Sequence, residues 1–453
     1  MGASSHRIPG VLLAGTHSGC GKTTVTLGLM AALRQRGLAV APFKCGPDFI
    51  DPTLHKLATG RVSHNLDPWM CGDAFVQGCF TRHASAADVA VVEGVMGLFD
   101  GAAGSGAHLA KVLGLPVVLV IDARSMAESA AAVVKGFEEL DPAVRVAGVI
   151  LNRVGSERHL GLLRDAIAAH CRAEVLGHLP RDQAFVIPER HLGLRMGSEK
   201  PLDEAAIDRL AGTVTRHVDL GRLAALAATA APQPPAKAAG GSPLLPPRVR
   251  IGIARDAAFC FYYEENLASL AAAGAEPVEF SPLTDRALPA NLAGLYLGGG
   301  YPELYAAELA ANQGMRAAIR DWSLSGRPLY AECGGFMYLT GGIHDSDGRF
   351  HPMAGVFPVE ARMQRGRASL GYREATLTSP TMFGRPGVTL RGHEFHYSAI
   401  GPMPATVARA YRLGDGREEG YLINQRTLGS YLHLHFGGTP EAARRFVRFC
   451  QEQ

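Results

Sequence analysis

Short apolar runs alternate with longer helical patterns through the first half of the sequence, and this alternation constrains the fold more than any other feature. The runs are nearly continuous in apolar, often β-branched, residues: VLLAG, AVAPFK, VAVVEG, PVVLVIDA and AGVILNR. A strand that is apolar on both sides must be covered on both faces, which is typical of a parallel sheet flanked by helices. The pattern therefore predicts an α/β fold built on a doubly wound parallel sheet.

A stretch rich in Ala, Pro and Gly interrupts this pattern at residues 224–247. It contains no aromatic residue and almost no charge, so it cannot form a core and is typical of a linker. Because 453 residues are more than one ordinary core accommodates, we expect two domains, 1–223 and 248–453. The second domain starts with new strand signals (RVRIGIARD, AGLYLGGG, PLYAEC), and its later segments favour antiparallel strands.

The overall composition excludes several classes of protein. Apolar residues make up 47% of the chain and charged residues 19%, and the formal net charge is only +3, so no nucleic-acid partner is expected. No apolar run approaches the roughly 20 residues that span a bilayer, so no membrane association is expected either. The N-terminal apolar segment reads as a strand and not as a signal peptide. The eight scattered cysteines form no CxxC pair, which favours reduced thiols and a cytoplasmic protein.

The first strand leads directly into GTHSGCGKTT, residues 15–24, and then into a helical pattern. This is the arrangement of a P-loop, in which backbone N–H groups surround phosphates, a lysine reaches the β and γ oxygens and a hydroxyl binds Mg²⁺. The spacing is unusual, because five residues separate the first glycine from GKTT where the common motif has four. The residues predicted to bind the nucleotide in this loop are Gly19, Gly21, Lys22, Thr23 and Thr24.

Two acidic turns follow later strands, KCGPDFIDP at residues 44–52 and EGVMGLFDG at residues 93–101. The carboxyl ends of parallel strands line the ligand crevice of an open α/β sheet, so these acids are expected beside the P-loop. Any one of them has an ordinary interpretation as a helix cap or a turn residue. Four acids in two such turns favour Mg²⁺ or substrate binding for at least part of the set: Asp48, Asp51, Glu93 and Asp100.

Together the three segments GTHSGCGKTT, KCGPDFIDP and EGVMGLFDG resemble the a,c-diamide synthases of corrin biosynthesis and, more distantly, dethiobiotin synthetase. The resemblance implies that ATP phosphorylates a substrate carboxylate and that nitrogen then attacks the acyl phosphate. Phosphorylation is needed because a carboxylate repels a nucleophile and lacks a leaving group. The implied site residues are Thr23, Asp48 and Glu93 for Mg²⁺, Asp51 and Asp100 for the accepting carboxylate, and Asn152 and Arg153 for adenine.

In the second half, PLYAECGGFMYL at residues 328–339 places Cys333 at a Gly-Gly turn between two apolar runs. This turn resembles the nucleophile turn of class I, triad-type glutamine amidotransferases, which implies a flavodoxin-like α/β domain. Glycines permit the strained backbone that presents the side chain, and the following helix N-terminus favours a thiolate. A buried cysteine alone is more often structural, so the interpretation depends on two further segments.

The segment GGGYPE at residues 298–303 follows a strand, and GSYLHLHF at residues 429–436 resembles the histidine segment of the same domain. The backbone N–H groups of Gly299, Gly300 and Gly334 are predicted to form an oxyanion hole. The resemblance assigns His433 as the base that deprotonates Cys333.

The chain departs from the triad pattern at one position. Ordinary triad domains carry a glutamate two residues after the histidine to orient it, and here that position is His435. The orienting acid is therefore absent or supplied elsewhere, and His435 remains an alternative base. A further segment, GHEFHY at residues 392–397, resembles the cobyric-acid branch of these enzymes, and its Glu394 is a candidate for orienting a histidine or contacting a tetrapyrrole.

The resemblance covers nearly the whole chain and implies two cooperating sites. Glutamine hydrolysis at Cys333 releases ammonia, which moves internally to the ATP·Mg²⁺ site and amidates the c and then the a acetate of a corrin-type polycarboxylate, hydrogenobyrinate or cobyrinate. One alternative is the same reaction on another tetrapyrrole such as nickel sirohydrochlorin. Another is a partitioning-type ATPase switch, which would carry lysine where this loop has His17. The oligomeric state, a homodimer among the options, is not readable from the sequence.

Overall fold

The computed structural model describes residues 7–181, 189–190, 193–194, 196, 202–233, 249–364, 366 and 369–452. The chain divides into two compact units, Met1–Ala239 and Gly240–Gln453. Much of the predicted linker lies outside the described residues. Its first part, however, continues a helix, Leu220–Ala227, and Ala230 and Gln233 beyond it are buried in the first unit. The Ala-rich composition that suggested a linker is also the best helix-forming composition.

The first unit contains, among its described residues, one seven-stranded sheet. Its strands are β1 (Gly10–Gly15), β2 (Val40–Cys45), β3 (His64–Leu66), β4 (Val89–Gly97), β5 (Val117–Asp122), β6 (Val146–Val154) and β7 (Glu174–Pro180). They lie in the order β3-β2-β4-β1-β5-β6-β7, and every pairing is parallel. A separate pair of two-residue strands is β8 (Glu189–Arg190) and β9 (Gly193–Leu194). The predicted parallel sheet is confirmed.

Helices cover both faces of this sheet. They are α1 (Lys22–Gln35), α2 (Asp51–Thr59), α3 (Pro68–Cys71), α4 (Asp73–Ala84), α5 (Gly106–Leu113), α6 (Ser129–Glu139), α7 (Glu157–His170), α8 (Glu204–His217) and α9 (Leu220–Ala227). Along β1, Leu12 packs into one core while Val11 and Leu13 pack into the other. Two-sided burial explains why the strands are continuous apolar runs, and it places the functional loops at the carboxyl ends of β1, β2, β4 and β6.

The second unit is built on a mixed sheet that changes from parallel to antiparallel. Its strands and those of a smaller sheet are β10 (Val249–Ala254), β11 (Ala275–Phe280), β12 (Leu292–Leu297), β13 (Leu329–Glu332), β14 (Thr340–His344), β15 (Phe350–Pro352), β16 (Phe357–Met363), β17 (Ser369–Leu377), β18 (Thr389–His396), β19 (Ser398–Ile400), β20 (Ala408–Leu413), β21 (Glu418–Ile423), β22 (Thr427–Ser430) and β23 (His433–Leu434). In the described part of this unit, the larger sheet has the order β11-β10-β12-β13-β22-β21-β20-β17-β18-β23, and the smaller one β15-β14-β16-β19.

The parallel part of the larger sheet, β11 to β22, carries the nucleophile turn, and the antiparallel part, β22 to β23, brings the histidine strand beside β18. The predicted antiparallel character is confirmed for β17 and β18, whereas β16 pairs antiparallel with β19 but parallel with β14. The helices of this unit are α10 (Glu264–Ala272), α11 (Ala306–Ala311), α12 (Gln313–Leu324), α13 (Gly334–Leu339) and α14 (Pro440–Gln451).

Two findings concern the whole described chain. All eight cysteines of the sequence fall within the described residues, and all are free thiols. Across the same residues, none of the helices has both the length and the apolar character needed to cross a membrane.

Candidate active sites

The predicted phosphate-binding loop joins β1 to α1 in the first unit. Gly19 (φ 81°) and Gly21 (φ 94°) both adopt the left-handed backbone conformation that glycine favours. Lys22 begins α1, and its Nζ donates a hydrogen bond to the carbonyl oxygen of Met96 at 2.7 Å. Thr23 and Thr24 follow in the first turn of the same helix. The loop therefore has the strand-turn-helix form expected of a phosphate site, despite its extra residue.

A buried lysine that the sequence analysis did not single out lies at the centre of the acidic turns. The Nζ atom of Lys44, at the end of β2, donates a short hydrogen bond to Asp51 and lies 3.4 Å from Glu93 Oε1 and 3.8 Å from Asp48 Oδ2. It also donates to the carbonyl oxygen of Gly94 at 3.2 Å. The structure thus brings the two predicted acidic turns together around one ammonium group.

Glu93 links this charge cluster to the phosphate-binding loop. It is fully buried, and its Oε1 accepts a hydrogen bond from the hydroxyl of Thr23 at 2.7 Å. Its Oε2 lies 2.7 Å from Nε2 of His55, whose Nδ1 lies 2.9 Å from the hydroxyl of Ser63. Glu93 is therefore held on both oxygens, with one of them facing the loop.

Electrostatics keeps both central groups of this cluster charged. Burial opposes a charge on Lys44, but the carboxylates of Asp51, Glu93 and Asp48 outweigh it and raise the pKa of the ammonium above its usual value. Burial also opposes ionisation of Glu93, yet Lys44 and His55 outweigh it and hold the pKa of Glu93 below its usual range. Lys44 and Glu93 are therefore fixed charges, whereas burial and the neighbouring carboxylates of Asp48 and Glu93 raise the pKa of Asp51.

Two of the predicted acids also have the ordinary roles that the sequence left open. The Oδ1 atom of Asp48 accepts hydrogen bonds from the backbone N–H groups of Ile50 (2.7 Å) and Asp51 (3.0 Å), next to the start of α2. The Oδ2 atom of Asp100 accepts from the N–H group of Gly97 at 2.9 Å and so closes its own turn. The other carboxylate oxygen of Asp48, Oδ2, lies 3.8 Å from Nζ of Lys44.

Asn152 and Arg153, at the end of β6, fix the phosphate-binding loop from the other side. The amide of Asn152 donates to the carbonyl oxygen of Cys20 at 2.9 Å, and Arg153 donates to that of Gly19 at 3.0 Å. Arg153 also pairs with Asp122 at 2.5 Å. A cavity of about 590 Å³ lies beside this point, lined by His17, Asp122, Arg124, Ser125, Met126, Arg153, Gly155, His159 and Arg181. Its size and its position at the loop suit part of a nucleotide.

In the second unit, Cys333 occupies a strained turn between β13 and α13. Its backbone has φ 46° and ψ −105°, which is outside the regions that non-glycine residues normally adopt. Such strain costs about 1–3 kcal/mol and persists only where the surroundings impose it. Here the N–H group of Cys333 donates to the carbonyl oxygen of Ser430 at 2.7 Å, and that of Gly335 donates to Gly298 at 3.0 Å. A strained nucleophile between a strand and a helix is the geometry known as a nucleophile elbow, and the turn at Cys333 has this geometry.

The three glycines predicted to form an oxyanion hole lie against this turn. A Cβ atom on Gly334 would lie 2.9 Å from the backbone nitrogen of Gly300, and one on Gly299 would collide with Cε1 of His433. Gly299 and Gly334 therefore lie so close to His433 and to Gly300 that a residue with a Cβ atom would not fit at either position without a shift of its neighbours.

The histidine segment distinguishes the two candidate bases. His433 lies beside Cys333, and burial opposes its protonation, but Cys333 and Glu332 outweigh burial and raise its pKa to about 9. Burial lowers the pKa of His435 to about 4, and its Nδ1 accepts a hydrogen bond from the N–H group of Gly437 at 3.0 Å. These contacts favour His433 over His435 as the partner of the thiol.

The GHEFHY segment forms the end of β18 and contributes to the same site through its backbone. The thiol of Cys333 lies 3.9 Å from the carbonyl oxygen of Phe395. Glu394, the candidate for orienting a histidine, instead pairs with Arg373 at 2.8 Å and with Arg417 at 3.3 Å. The carboxylate of Glu394 therefore forms ion pairs with two guanidinium groups and not with a histidine.

Sequence reasoning missed the buried partners of the predicted residues. Lys44 and His55 surround Glu93, and Glu332 lies next to the predicted nucleophile, with Oε2 at 3.8 Å from Nδ1 of His433. The available signal was a charged residue at or next to the last position of a buried strand, where an apolar residue is expected: Lys44 precedes the final residue of β2, and Glu332 ends β13.

Comparison with known proteins finds two separate domain matches, one in each unit. Residues 11–194 match the CobQ/CobB/MinD/ParA nucleotide binding domain, and residues 250–441 match the CobB/CobQ-like glutamine amidotransferase domain. The cobyrinate a,c-diamide synthase of Syntrophotalea carbinolica is 48% identical over 98% of this chain and 99% of its own length. The hydrogenobyrinate a,c-diamide synthase of Streptomyces coelicolor is 44% identical over 99% of both chains. With both domain matches and full-length identity of this degree, the chain belongs to the family of cobyrinate and hydrogenobyrinate a,c-diamide synthases.

Proposed function

We propose that the protein catalyses the ATP- and glutamine-dependent amidation of the a and c acetate carboxylates of a corrin precursor, cobyrinate or hydrogenobyrinate. The observation that carries this proposal is the full-length similarity to synthases named for that reaction on each of the two substrates. The two sites described above supply the two halves of the chemistry: one activates a carboxylate, and the other releases ammonia from glutamine.

The second unit is proposed to be the glutaminase. His433 takes the proton of Cys333, and the thiolate attacks the amide carbon of glutamine. The N–H groups of Gly299, Gly300 and Gly334 are proposed to stabilise the oxyanion of the tetrahedral intermediate. The proton on His433 passes to the leaving nitrogen, ammonia departs, and water then hydrolyses the glutamyl thioester. The strained turn at Cys333 supports this role, because strain of this kind persists at functional sites.

The first unit is proposed to activate the corrin carboxylate. Lys22 neutralises charge on the β and γ phosphates of ATP, and the N–H groups of the loop, with Gly19, Gly21 and Thr24, hold the phosphates in place. Asp51 is proposed to lie near the accepting carboxylate together with Asp100, and its pairing with Lys44 limits repulsion of that carboxylate. Asn152 and Arg153 are proposed to lie at the adenine side of the nucleotide.

The oxygen ligands of the first site suit Mg²⁺. The hydroxyl of Thr23 lies 2.7 Å from Glu93 Oε1, and carboxylate oxygens of Asp48 and Glu93 both lie within 4 Å of Lys44 Nζ, so three hard oxygen donors come together from α1, β4 and the loop after β2. Magnesium ions are usually bound by one or two carboxylates and by substrate phosphates. We propose that Thr23, Asp48 and Glu93 hold Mg²⁺, which would neutralise charge on the transferred phosphoryl group.

The amidation of each candidate macrocycle tests the proposed function. Purified protein is incubated with ATP, glutamine and cobyrinate, hydrogenobyrinate or nickel sirohydrochlorin, and the products are counted and located by mass spectrometry. We expect two amidations of a corrin substrate, at the a and c acetates. Amidation only at other side chains, or only of nickel sirohydrochlorin, would contradict the assignment. ATP hydrolysis without any use of glutamine would favour an ATPase switch.

A further inference from the structure

We propose that Glu332 is the acid that orients His433 for its reaction with Cys333. It would replace the acid that triad-type amidotransferases place two residues after the histidine, where this chain has His435. The inference rests on the glutaminase activity proposed above. Glu332 is a positioning residue, since it acts on the histidine and not on glutamine.

The position of Glu332 carries the inference. The residue directly precedes Cys333 at the end of β13, is only 2% exposed, and points one carboxylate oxygen toward the histidine. Its Oε2 lies 3.8 Å from Nδ1 of His433. A carboxylate beside Nδ1 leaves Nε2 for the thiol, which is the division of roles that an oriented catalytic histidine requires.

Three hydrogen bonds fix the carboxylate in this place. Its Oε2 accepts from the hydroxyl of Tyr296 at 2.9 Å, and its Oε1 accepts from the hydroxyl of Tyr330 at 2.5 Å. The Oε1 atom also accepts from the backbone N–H group of Leu434 at 3.0 Å. Because Leu434 directly follows His433, the same carboxylate ties the nucleophile strand to the histidine strand. All three contacts come from donor groups, so both carboxylate oxygens serve as acceptors.

The other acidic and basic groups around the histidine do not compete for this role. Glu394 is paired with two arginines, as described above. Among the described residues, two further titratable groups face His433: His393, whose ring is stacked on it with centroids 4.9 Å apart, and His396. Burial lowers the pKa of both, for His396 to about 4, so both are neutral over the pH range in which His433 titrates.

The substitution Glu332→Gln tests the proposal through the pH dependence of the thiol. We expect kcat for glutamine hydrolysis to fall by about 100-fold or more, with a much smaller change in KM. The alkaline limb of the pH profile should move to lower pH by about one to three units, because the imidazolium loses a stabilising negative charge. The same shift should appear in the rate at which iodoacetamide alkylates Cys333, followed at that residue by peptide mass spectrometry.

A matched variant separates charge from packing. Tyr330→Phe removes one hydrogen bond from the carboxylate but keeps its charge, so the alkaline limb should stay at the wild-type pH. Ammonia-dependent amidation, measured in every variant, reports whether the first unit remains intact. If the Glu332→Gln enzyme is slower but the alkaline limb of its pH profile stays at the wild-type pH, the proposal is overturned, because only a structural role for Glu332 would remain.

Two further variants, Glu332→Asp and Cys333→Ala, cover a folding failure and a failure of the proposed glutaminase activity. If Glu332→Gln does not fold, Glu332→Asp replaces it. The shorter side chain draws the carboxylate away from His433, so the alkaline limb of the pH profile should move to lower pH. An alkaline limb at the wild-type pH would overturn the role of Glu332. If wild-type and Cys333→Ala enzymes hydrolyse glutamine equally, the proposed glutaminase itself fails, which is distinct from a failure at Glu332 alone.

Discussion

The two sites of this chain are built by different physical means. The site in the first unit is a cluster of buried charges, in which Lys44 contacts the carboxylates of Asp48, Asp51 and Glu93, and Glu93 also accepts a hydrogen bond from Thr23. The site in the second unit depends on backbone geometry, with a strained Cys333 and a glycine loop that leaves no space for a Cβ atom beside His433.

This difference reflects the chemistry proposed for each site. Phosphoryl transfer needs positioning and charge neutralisation, which fixed charges supply. Nucleophilic attack on an amide needs one thiol, one base and two or three N–H groups at short range, which a tight turn supplies. The first site should therefore be sensitive chiefly to changes of charge, whereas the second should also be sensitive to small changes of volume.

The largest expected effect is at the phosphate end. Lys22→Ala should lower ATP-dependent amidation by about 1,000-fold with either glutamine or ammonia as the nitrogen source, because the charge facing the phosphates is lost. Steady-state assays with both nitrogen sources measure it. Lys111→Ala, a half-exposed lysine paired with Asp141, is the control and should retain activity. Loss with glutamine only would contradict the division of labour between the sites.

Lys44→Met should destabilise the first unit. The substitution leaves Asp51 and Glu93 buried without their ammonium partner, and breaking a buried ion pair in this way costs about 3–5 kcal/mol. Urea unfolding, followed with a probe in the first unit, measures the change. The matched surface substitution Lys111→Met should alter unfolding little. Equal effects from the two substitutions would show that the buried cluster is not stabilising.

In the second unit a single methyl group should be enough to impair the site. Gly299→Ala places a Cβ atom against His433, and displacement of a catalytic group by about 1 Å lowers rates by about 100-fold. Glutamine hydrolysis should fall while ammonia-dependent amidation persists. Gly401→Ala is the control, since a Cβ atom there meets nothing within 4 Å. Full glutaminase activity in the Gly299 variant would place the histidine elsewhere during catalysis.

The smallest effect is expected at Asn152. Asn152→Ala removes one buried hydrogen bond to the phosphate-binding loop, worth about 1 kcal/mol, so the KM for ATP should rise roughly fivefold. The exposed residue Gln35, on the helix that follows the loop, offers a control substitution to Ala. An unchanged KM would mean that the amide does not hold the loop during binding.

The elements that could be predicted from the sequence are those specified by residues close to one another along the chain. The parallel sheet, the phosphate-binding loop and the Cys333 turn each depend on neighbouring residues, and the structure places them as expected. Glu332 could not be assigned in this way, because its partner Leu434 lies 102 residues away in sequence. The departure at His435 indicated that the orienting acid was absent or supplied elsewhere, and only the fold shows that the carboxylate of Glu332 lies 3.8 Å from Nδ1 of His433.

The central claim is that one chain makes ammonia at Cys333 and consumes it at the phosphate-binding site. The direct test supplies glutamine labelled with ¹⁵N in its amide together with unlabelled ammonium, ATP and the corrin substrate, and measures the isotope in the new amides. Wild-type product should carry ¹⁵N, whereas Cys333→Ala product should carry only unlabelled nitrogen at a comparable rate with excess ammonium. Incorporation of ¹⁵N by the Cys333→Ala enzyme, or its absence from the wild-type product, would contradict the account.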